Sequence, residues 1–274
     1  MKIKLIAADL DGTLLHDDKS VSQRTLSDLQ KAAEAGCIVM PATGRVLSGI
    51  PHQVLSVPGI SYAITSNGAS VVDLKKHSVI YSNLMTTEES GSIVKKMCKT
   101  GFLVEAYLNG TAYCERKAFE RMLSLNPPKW LTDFVLKSQN FVDDLPSFIS
   151  SHNAQLEKVN MPYIPEDIRV PMYKKLRSEN KYFICSSCPT NIEVNTIGCS
   201  KGKALKVLCS KFGINPDQAM AIGDSGNDLK MLQEAGVAVA MKNAEPEISS
   251  AANFVTSTNN EDGVAAAIEK FVLS

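Results

Sequence analysis

Near the start of the chain an apolar run ends in two carboxylates: Leu5-Ile-Ala-Ala-Asp9-Leu-Asp11-Gly12-Thr13. No charge precedes Asp9 in the run, the pattern of a strand buried on both faces of a parallel sheet. Strand side chains alternate, so Asp9 and Asp11 leave the same face one pleat apart. Gly12 lets the chain turn sharply beyond them. Open α/β sheets hold their ligands at the carboxyl ends of such strands. Two acids there repel unless a cation lies between them, and Mg²⁺ is the hard, oxygen-seeking candidate. Capping the next helix would account for one of these acids, but not for two on one face.

Two more strand ends carry groups suited to a phosphate monoester. One has Thr43, with backbone amides beside it; the other has Asp224, Asn227 and Asp228, with Lys201 opening the preceding helix. A phosphoryl group in transfer spreads negative charge over its oxygens, so positioning and cationic clamping do most of the work. Lys201 suits one clamp, and Thr43 with the Gly44 amide another. Asp224 completes a metal site with Asp9 and the Asp11 carbonyl. Asp9 at the strand tip is the natural nucleophile, splitting hydrolysis in two through an aspartyl-phosphate. Asp11 can protonate the leaving oxygen and then take a proton from water. Taken singly, Thr43 could be a helix N-cap and Lys201 a solvated lysine. The helix macrodipole disfavours a cation at Lys201, however, which argues for an anionic partner.

These groups need strands and helices to position them. Ser22 caps a predicted helix carrying Leu26, Leu29 and Ala33. Cys37–Met40 and Tyr62–Thr65 read as second and third parallel strands, ending in Pro41-Ala-Thr43-Gly44-Arg45 and Ser66-Asn67-Gly68. Val71-Val72 and Val79–Tyr81 suggest a hairpin leaving the sheet. From about residue 85 the grammar changes. A helix (88–99) and strands at 102–108 and 111–114 around Asn109-Gly110 precede a break at Asn126-Pro127-Pro128. Helices near 146–151 and 166–176, a strand near 154–159 and a hairpin from 182–185 to 192–194 complete an inserted α+β module. The parallel pattern resumes at Ser200, with a helix at 203–212, strands at 219–222, 237–240 and 253–255, and a closing helix at 262–272. The expected division is therefore a discontinuous α/β core, 1–84 and 195–274, interrupted by an 85–194 cap.

Composition narrows the partners. Lys+Arg and Asp+Glu both number 29 in 274 residues, so no basic surplus exists to hold nucleic acid or an anionic membrane. No run is long enough to span a bilayer, and Lys2 and Lys4 precede too few apolar residues for a signal peptide. The seven cysteines are odd in number and scattered, which fits reduced thiols in a cytoplasmic protein. Cys185 and Cys188 lack the further ligands of a zinc site and lie in a strand and turn rather than opening a helix, so two ordinary thiols are expected. No obligate protein partner is evident.

In combination, Asp9-Leu-Asp11-Gly12-Thr13, Ala42-Thr43-Gly44-Arg45, Ser200-Lys201-Gly202-Lys203-Ala204-Leu205 and Gly223-Asp224-Ser225-Gly226-Asn227-Asp228 resemble the four motifs of the haloacid dehalogenase superfamily. Ser66-Asn67-Gly68-Ala69, Val239–Ala244 and Glu261–Val264 add the flavour of its Cof-type branch; Lys242 stands where glycine is common. The resemblance implies a Rossmann-like core with a cap inserted after the third strand, and Mg²⁺-dependent phosphatase activity on a small phosphorylated metabolite, a sugar phosphate or similar. By motif position, Asp9 is nucleophile and metal ligand, Asp11 acid/base with its carbonyl on the metal, and Asp224 the remaining ligand. The Leu10 amide, Thr43, Gly44, Lys201 and Asn227 hold phosphate, Asp228 supports them, and Arg45 faces the cap. The cap is expected to close over the core and choose the substrate; Tyr107, Tyr113 and Trp130 are candidates for its lining, though core packing is the commoner fate of such aromatics. Phosphotransfer to a second sugar hydroxyl, as in related phosphomutases, would use the same site. A non-catalytic phosphometabolite-binding protein is a third reading, against which stands the presence of nucleophile, acid and metal ligands together.

Overall fold

Fourteen strands, numbered in chain order, run through the described residues 2–274 of the computed structural model. They are β1 (Leu5–Ala8), β2 (Ile38–Pro41), β3 (Tyr62–Thr65), β4 (Ser70–Asp73), β5 (Ser78–Ser82), β6 (Glu105–Leu108) and β7 (Thr111–Glu115). There follow β8 (Gln139–Val142), β9 (Lys158–Met161), β10 (Phe183–Cys185), β11 (Ile192–Asn195), β12 (Ala219–Gly223), β13 (Val237–Ala240) and β14 (Phe254–Val255). The chain divides into two compact units, one of residues 1–45, 50–82 and 200–274, the other of 46–49 and 83–199.

In the first unit β14, β13, β12, β1 and β2 lie side by side in that order, all parallel. β1 has a strand on each side, between β12 and β2, which explains its uncharged sequence: Leu5 and Ile6 are fully buried, each such side chain contributing roughly 1.5–3 kcal/mol. The helix Gln23–Glu34 begins where the Ser22 hydroxyl accepts from the Thr25 amide at 3.0 Å, and Lys201–Phe212 where Ser200 accepts from Lys203 at 3.1 Å. The second of these helices sets Ala204, Leu205 and Leu208 into the core that β1, β2 and β12 share. β3 departs from the expected third parallel strand. It pairs antiparallel with β4, and β4 with β5, in a separate sheet. β3 meets β2 through one parallel bridge, Ala42 to Ile64, where the chain is already leaving β2.

The second unit is a six-stranded sheet, β10-β11-β9-β6-β7-β8, antiparallel except between β7 and β8. One face carries Ala106, Val159, Val194 and Ile184, packed with residues of the helices Thr87–Cys98, Leu145–Ser151 and Glu166–Ser178. Two helices, Arg116–Leu123 and Lys129–Ser138, and strand β8 occupy the stretch around the proline pair that the sequence leaves as a break. Each helix buries few residues, Ala118, Phe119 and Met122 in the first and Leu131 and Val135 in the second, so the apolar period is too short to stand out. The strand expected near 154–159 begins only at Lys158. Val46–Gly49 belongs with this unit, where Val46 packs on Tyr107 and Ala112. All seven cysteines are free, and among the described residues no helix is long and apolar enough to cross a membrane.

Candidate active site

The register of the parallel sheet decides which residues meet. Ala8 is level with Ile222 on one side and Pro41 on the other. Asp9 therefore leaves the sheet just as β12 and β2 end, its amide donating to the Ile222 carbonyl at 3.0 Å. One or two residues further on come Asp224 and Thr43. Three segments, at Asp9, Thr43 and Asp224 in the sequence, thus converge within the first unit.

Gly12 permits the next step. Its φ of +79° lies in the left-handed region, and a Cβ built there would sit 2.4 Å from Asp224 Oδ2. Only glycine lets the turn after β1 lie this close to the second acidic strand end. The turn is closed by the Leu10 carbonyl, which accepts from the Thr13 and Leu15 amides at 3.3 and 2.8 Å. The Thr13 hydroxyl then donates to Asp224 Oδ1 at 2.8 Å, and Asn243 donates to the Gly12 carbonyl at 2.8 Å.

Lys201 is the hub. Fully buried, its Nζ donates to Asp9 Oδ1 at 2.6 Å and Asp228 Oδ1 at 2.7 Å, and lies 3.4 Å from Asn227 Oδ1. Asp228 is spent on structure: its other oxygen accepts from the Asp224 and Ser225 amides at 3.0 and 3.2 Å. Asn227 is fixed by Ser225 (2.9 Å) and by its own donation to Asn67 at 3.1 Å. The Asn67 amide donates to the Thr43 carbonyl at 3.0 Å, and the Thr43 hydroxyl accepts from the Arg45 amide at 3.1 Å. Gly68 closes the set: with φ +91°, its Cβ would meet the Ser200 carbonyl oxygen at 2.3 Å, so the turn after β3 presses against the start of the Lys201 helix.

Burial and the neighbouring charges of Asp228 and Asp224 push the Asp9 carboxyl well above its usual range, although Lys201 pulls the other way. Asp224 is raised to about 7, by burial first and the Asp228 charge second. Lys201 is opposed by burial, yet the charges of Asp228 and Asp9 outweigh it and hold the ammonium protonated above the usual lysine range. One carboxylate oxygen each of Asp9, Asp224 and Asp228 lies within 4.8 Å of the others. Three acids around a single cation leave negative charge in excess. Such a donor set, hard oxygens with one corner already committed to amides, fits a divalent cation held mainly by Asp9 and Asp224.

Asp11 is differently placed. Its carboxylate stands outside that acidic group and is gripped by Arg45, Nε to Oδ2 and a terminal nitrogen to Oδ1, both at 2.7 Å, with Lys19 Nζ at 2.9 Å. Burial works to raise this carboxyl, but the Arg45 hydrogen bonds and the charges of Arg45 and Lys19 prevail and hold it well below the carboxylate range. Arg45 thus lays its guanidinium along the Asp11 carboxylate. Residues outside the expected set also enter: Thr13 and Ser225 fix acids and amide, Asn67 links two strand ends, and Lys19 comes from the loop between β1 and the helix Gln23–Glu34. Asn67 carried a signal, a polar residue directly after a buried strand and before glycine, of the same kind as Thr43. Lys19 carried none.

An α/β sheet that gathers three carboxylates and a buried lysine at its strand ends is suited to handling a phosphoryl group. Residues 6–268 match the haloacid dehalogenase-like hydrolases, and the chain belongs to that family. It is 34% identical to the 5-amino-6-(5-phospho-D-ribitylamino)uracil phosphatase YcsE of Bacillus subtilis, over 99% of this chain and 96% of that one. A haloacid dehalogenase-like hydrolase from Bacteroides thetaiotaomicron superposes with TM-score 0.81 at 28% identity, covering 98% of this chain and 99% of the other. The subclass IIB sugar phosphatase BT4131 superposes with TM-score 0.80 at 25% identity, covering 98% of each chain. The protein is a phosphatase.

Proposed function

We propose that the chain hydrolyses a small phosphorylated metabolite, a sugar or sugar-alcohol phosphate, with Mg²⁺ and through an aspartyl-phosphate on Asp9. The observation that carries this reading is the contact of Lys201 with Asp9 at 2.6 Å, in a buried pocket that Asp224 also lines. A phosphoryl group seated at the Asp9 carboxylate would meet Lys201, the Leu10 and Gly44 amides, Thr43 and Asn227. Mg²⁺, when bound by Asp9, Asp224 and the Asp11 carbonyl, supplies positive charge against the phosphoryl oxygens.

An Asp9 oxygen attacks phosphorus as the bond to the alcohol oxygen breaks. Asp11 delivers a proton to that oxygen, releasing a neutral alcohol. Water then attacks phosphorus, Asp11 takes its proton, and the Asp9–phosphorus bond breaks to give inorganic phosphate and free carboxylate. The Arg45 and Lys19 pairing favours ionised Asp11, which suits the second half. For the first half Asp11 must take up a proton, and for that its hold on Arg45 must loosen. The relatives support the reaction type, and the phosphoribityl and sugar phosphates in their names support the substrate class. Phosphate release from a panel of phosphorylated metabolites, with Mg²⁺ and with chelator, tests the reading. Metal-dependent release favouring polyol phosphates is expected; transfer to an added sugar acceptor without free phosphate would favour the phosphomutase reading.

A further inference from the structure

The loops after β13 and β14, residues 241–245 and 256–262, supply none of the groups assigned to phosphate or Mg²⁺. Both overlap motif-like stretches, 239–244 and 261–264, to which the phosphoryl chemistry gives no task. In the sheet, β12 separates β13 and β14 from β1. Side chains of the two loops nevertheless reach past β12 to the loop after β1. Asn243 Nδ2 donates to the Gly12 carbonyl at 2.8 Å, and Asn243 Oδ1 accepts from the Asn259 amide at 3.0 Å, which decides how the side chain faces. Buried Asn259 directs both side-chain N–H groups to the same loop, one to the Leu15 carbonyl and one to Asp17 Oδ1, each at 3.0 Å. Further out, Asn260 donates to Asp17 Oδ2 at 2.8 Å and accepts from the Asp17 amide at 3.1 Å.

The loop after β13 also grips Asp224. The Met241 amide donates to the Gly223 carbonyl at 3.1 Å, and the Glu245 amide to the Asp224 carbonyl at 3.0 Å. Backbone bonds tie this loop to the next one, Thr256 to the Ala240 carbonyl at 2.9 Å and Lys242 to the Ser257 carbonyl at 3.2 Å. One turn, 241–245, thus holds the backbone of Asp224 and, through Asn243, that of Gly12. Gly12 follows Asp11 directly and has no side chain to limit its rotation. Anchoring its carbonyl therefore steadies the Asp11–Gly12 peptide, which carries the Asp11 carbonyl.

We propose that Asn243 is a positioning residue for the metal site. By joining the Gly12 turn to the segment that carries Asp224, it presets the spacing of the Asp11 carbonyl and the Asp224 carboxylate. The proposal rests on the Mg²⁺ reading given above.

Two arms test it on the full chain. Mg²⁺ alone is the probe in the first: the thermal midpoint, followed against Mg²⁺ concentration, gives a dissociation constant without turnover. Asn243 is exposed, so Asn243→Ala should fold. It should raise the constant about tenfold, as loss of a group that orients a metal ligand does. Asn260→Ala removes two bonds from the same loop without touching Gly12 or Asn243, and should keep the wild-type constant. No change in Asn243→Ala, or an equal rise in both variants, would overturn the proposal, the equal rise being what a merely loosened loop predicts. The second arm needs no metal. The Thr13 and Leu15 amides close the Gly12 turn on the Leu10 carbonyl, and their hydrogen exchange should quicken several-fold in Asn243→Ala but not in Asn260→Ala. Exchange at the wild-type rate in Asn243→Ala counts against the proposal. If the wild type itself showed no Mg²⁺-dependent midpoint, the Mg²⁺ reading would fail, while exchange still decided whether Asn243 sets the turn.

Discussion

Asp9 and Asp11 are two residues apart and face opposite electrostatic demands. Asp9 shares a buried pocket with two more acids and one lysine, whereas Asp11 sits between two cations. In the proposed reaction they have separate tasks, and separate consequences follow. Asp9→Asn should abolish turnover of every substrate. Asp11→Asn should slow an alkyl phosphate by about 10²–10⁴-fold, the usual contribution of a general acid or base, but slow p-nitrophenyl phosphate less, since its leaving group needs no proton. Equal losses on both substrates, measured as kcat, would remove Asp11 from the proton transfer. Lys201 carries a stability burden as well. Lys201→Met leaves Asp9 and Asp228 without their shared buried partner, and breaking such a pair costs about 3–5 kcal/mol. A urea midpoint lowered accordingly in the absence of Mg²⁺ is the expected result; an unchanged midpoint would mean that the acids are protonated or otherwise paired.

Elements rather than side chains bring these residues together, and glycine sets the tolerance. Gly12→Ala would press a methyl group on Asp224 Oδ2 from a backbone at φ +79°. The expected result is a folded protein, by circular dichroism, whose half-maximal Mg²⁺ concentration for activity rises by about tenfold or more, as a displaced ligand implies. In the second unit, burial raises the Glu105 carboxyl to about 7, against the hydrogen bonds from Asn160 and Tyr107. The folded chain therefore holds a proton that the unfolded chain has lost, in the window between about 4.5 and about 7. Folding stability must then fall as pH rises through that window, by on the order of a few kcal/mol at most. Glu105→Gln should flatten this part of the pH dependence in urea unfolding; a slope equal to that of the wild type would show that Glu105 ionises normally. The elements themselves were unevenly legible. Runs such as Leu5–Ala8 and Ala219–Ile222 are uncharged because they lie inside a parallel sheet, and they read directly as strands. The pairing of β3 did not, because its Tyr-Ala-Ile-Thr sequence suits either kind of ladder and only its neighbour decides. The short helices on either side of Pro127 were likewise hidden by their few buried positions.

At the scale of the molecule, the parallel-sheet unit holds Asp9, Asp11, Thr43, Arg45, Lys201, Asp224, Asn227 and Asp228 within one fold. That assembly was largely readable because phosphate chemistry demands particular residue types at strand ends, whatever lies between them. Its supporting contacts were not: Lys19 on Asp11 and Thr13 on Asp224 depend on how loops turn, which carries little compositional trace. The polar face of the second unit was less legible still. Glu105, Lys158, Asn160 and Glu193 alternate with apolar residues as on any half-exposed strand, and only their burial shows that they are not a solvated surface. The proposed reaction turns on a covalent step on Asp9. Rapid acid quenching of the reaction with a phosphorus-labelled substrate, followed by peptide mapping, reads it directly. Label on Asp9, formed in the presence of Mg²⁺ and absent from Asp9→Asn, is the predicted result; phosphate release at an undiminished rate by Asp9→Asn would contradict it.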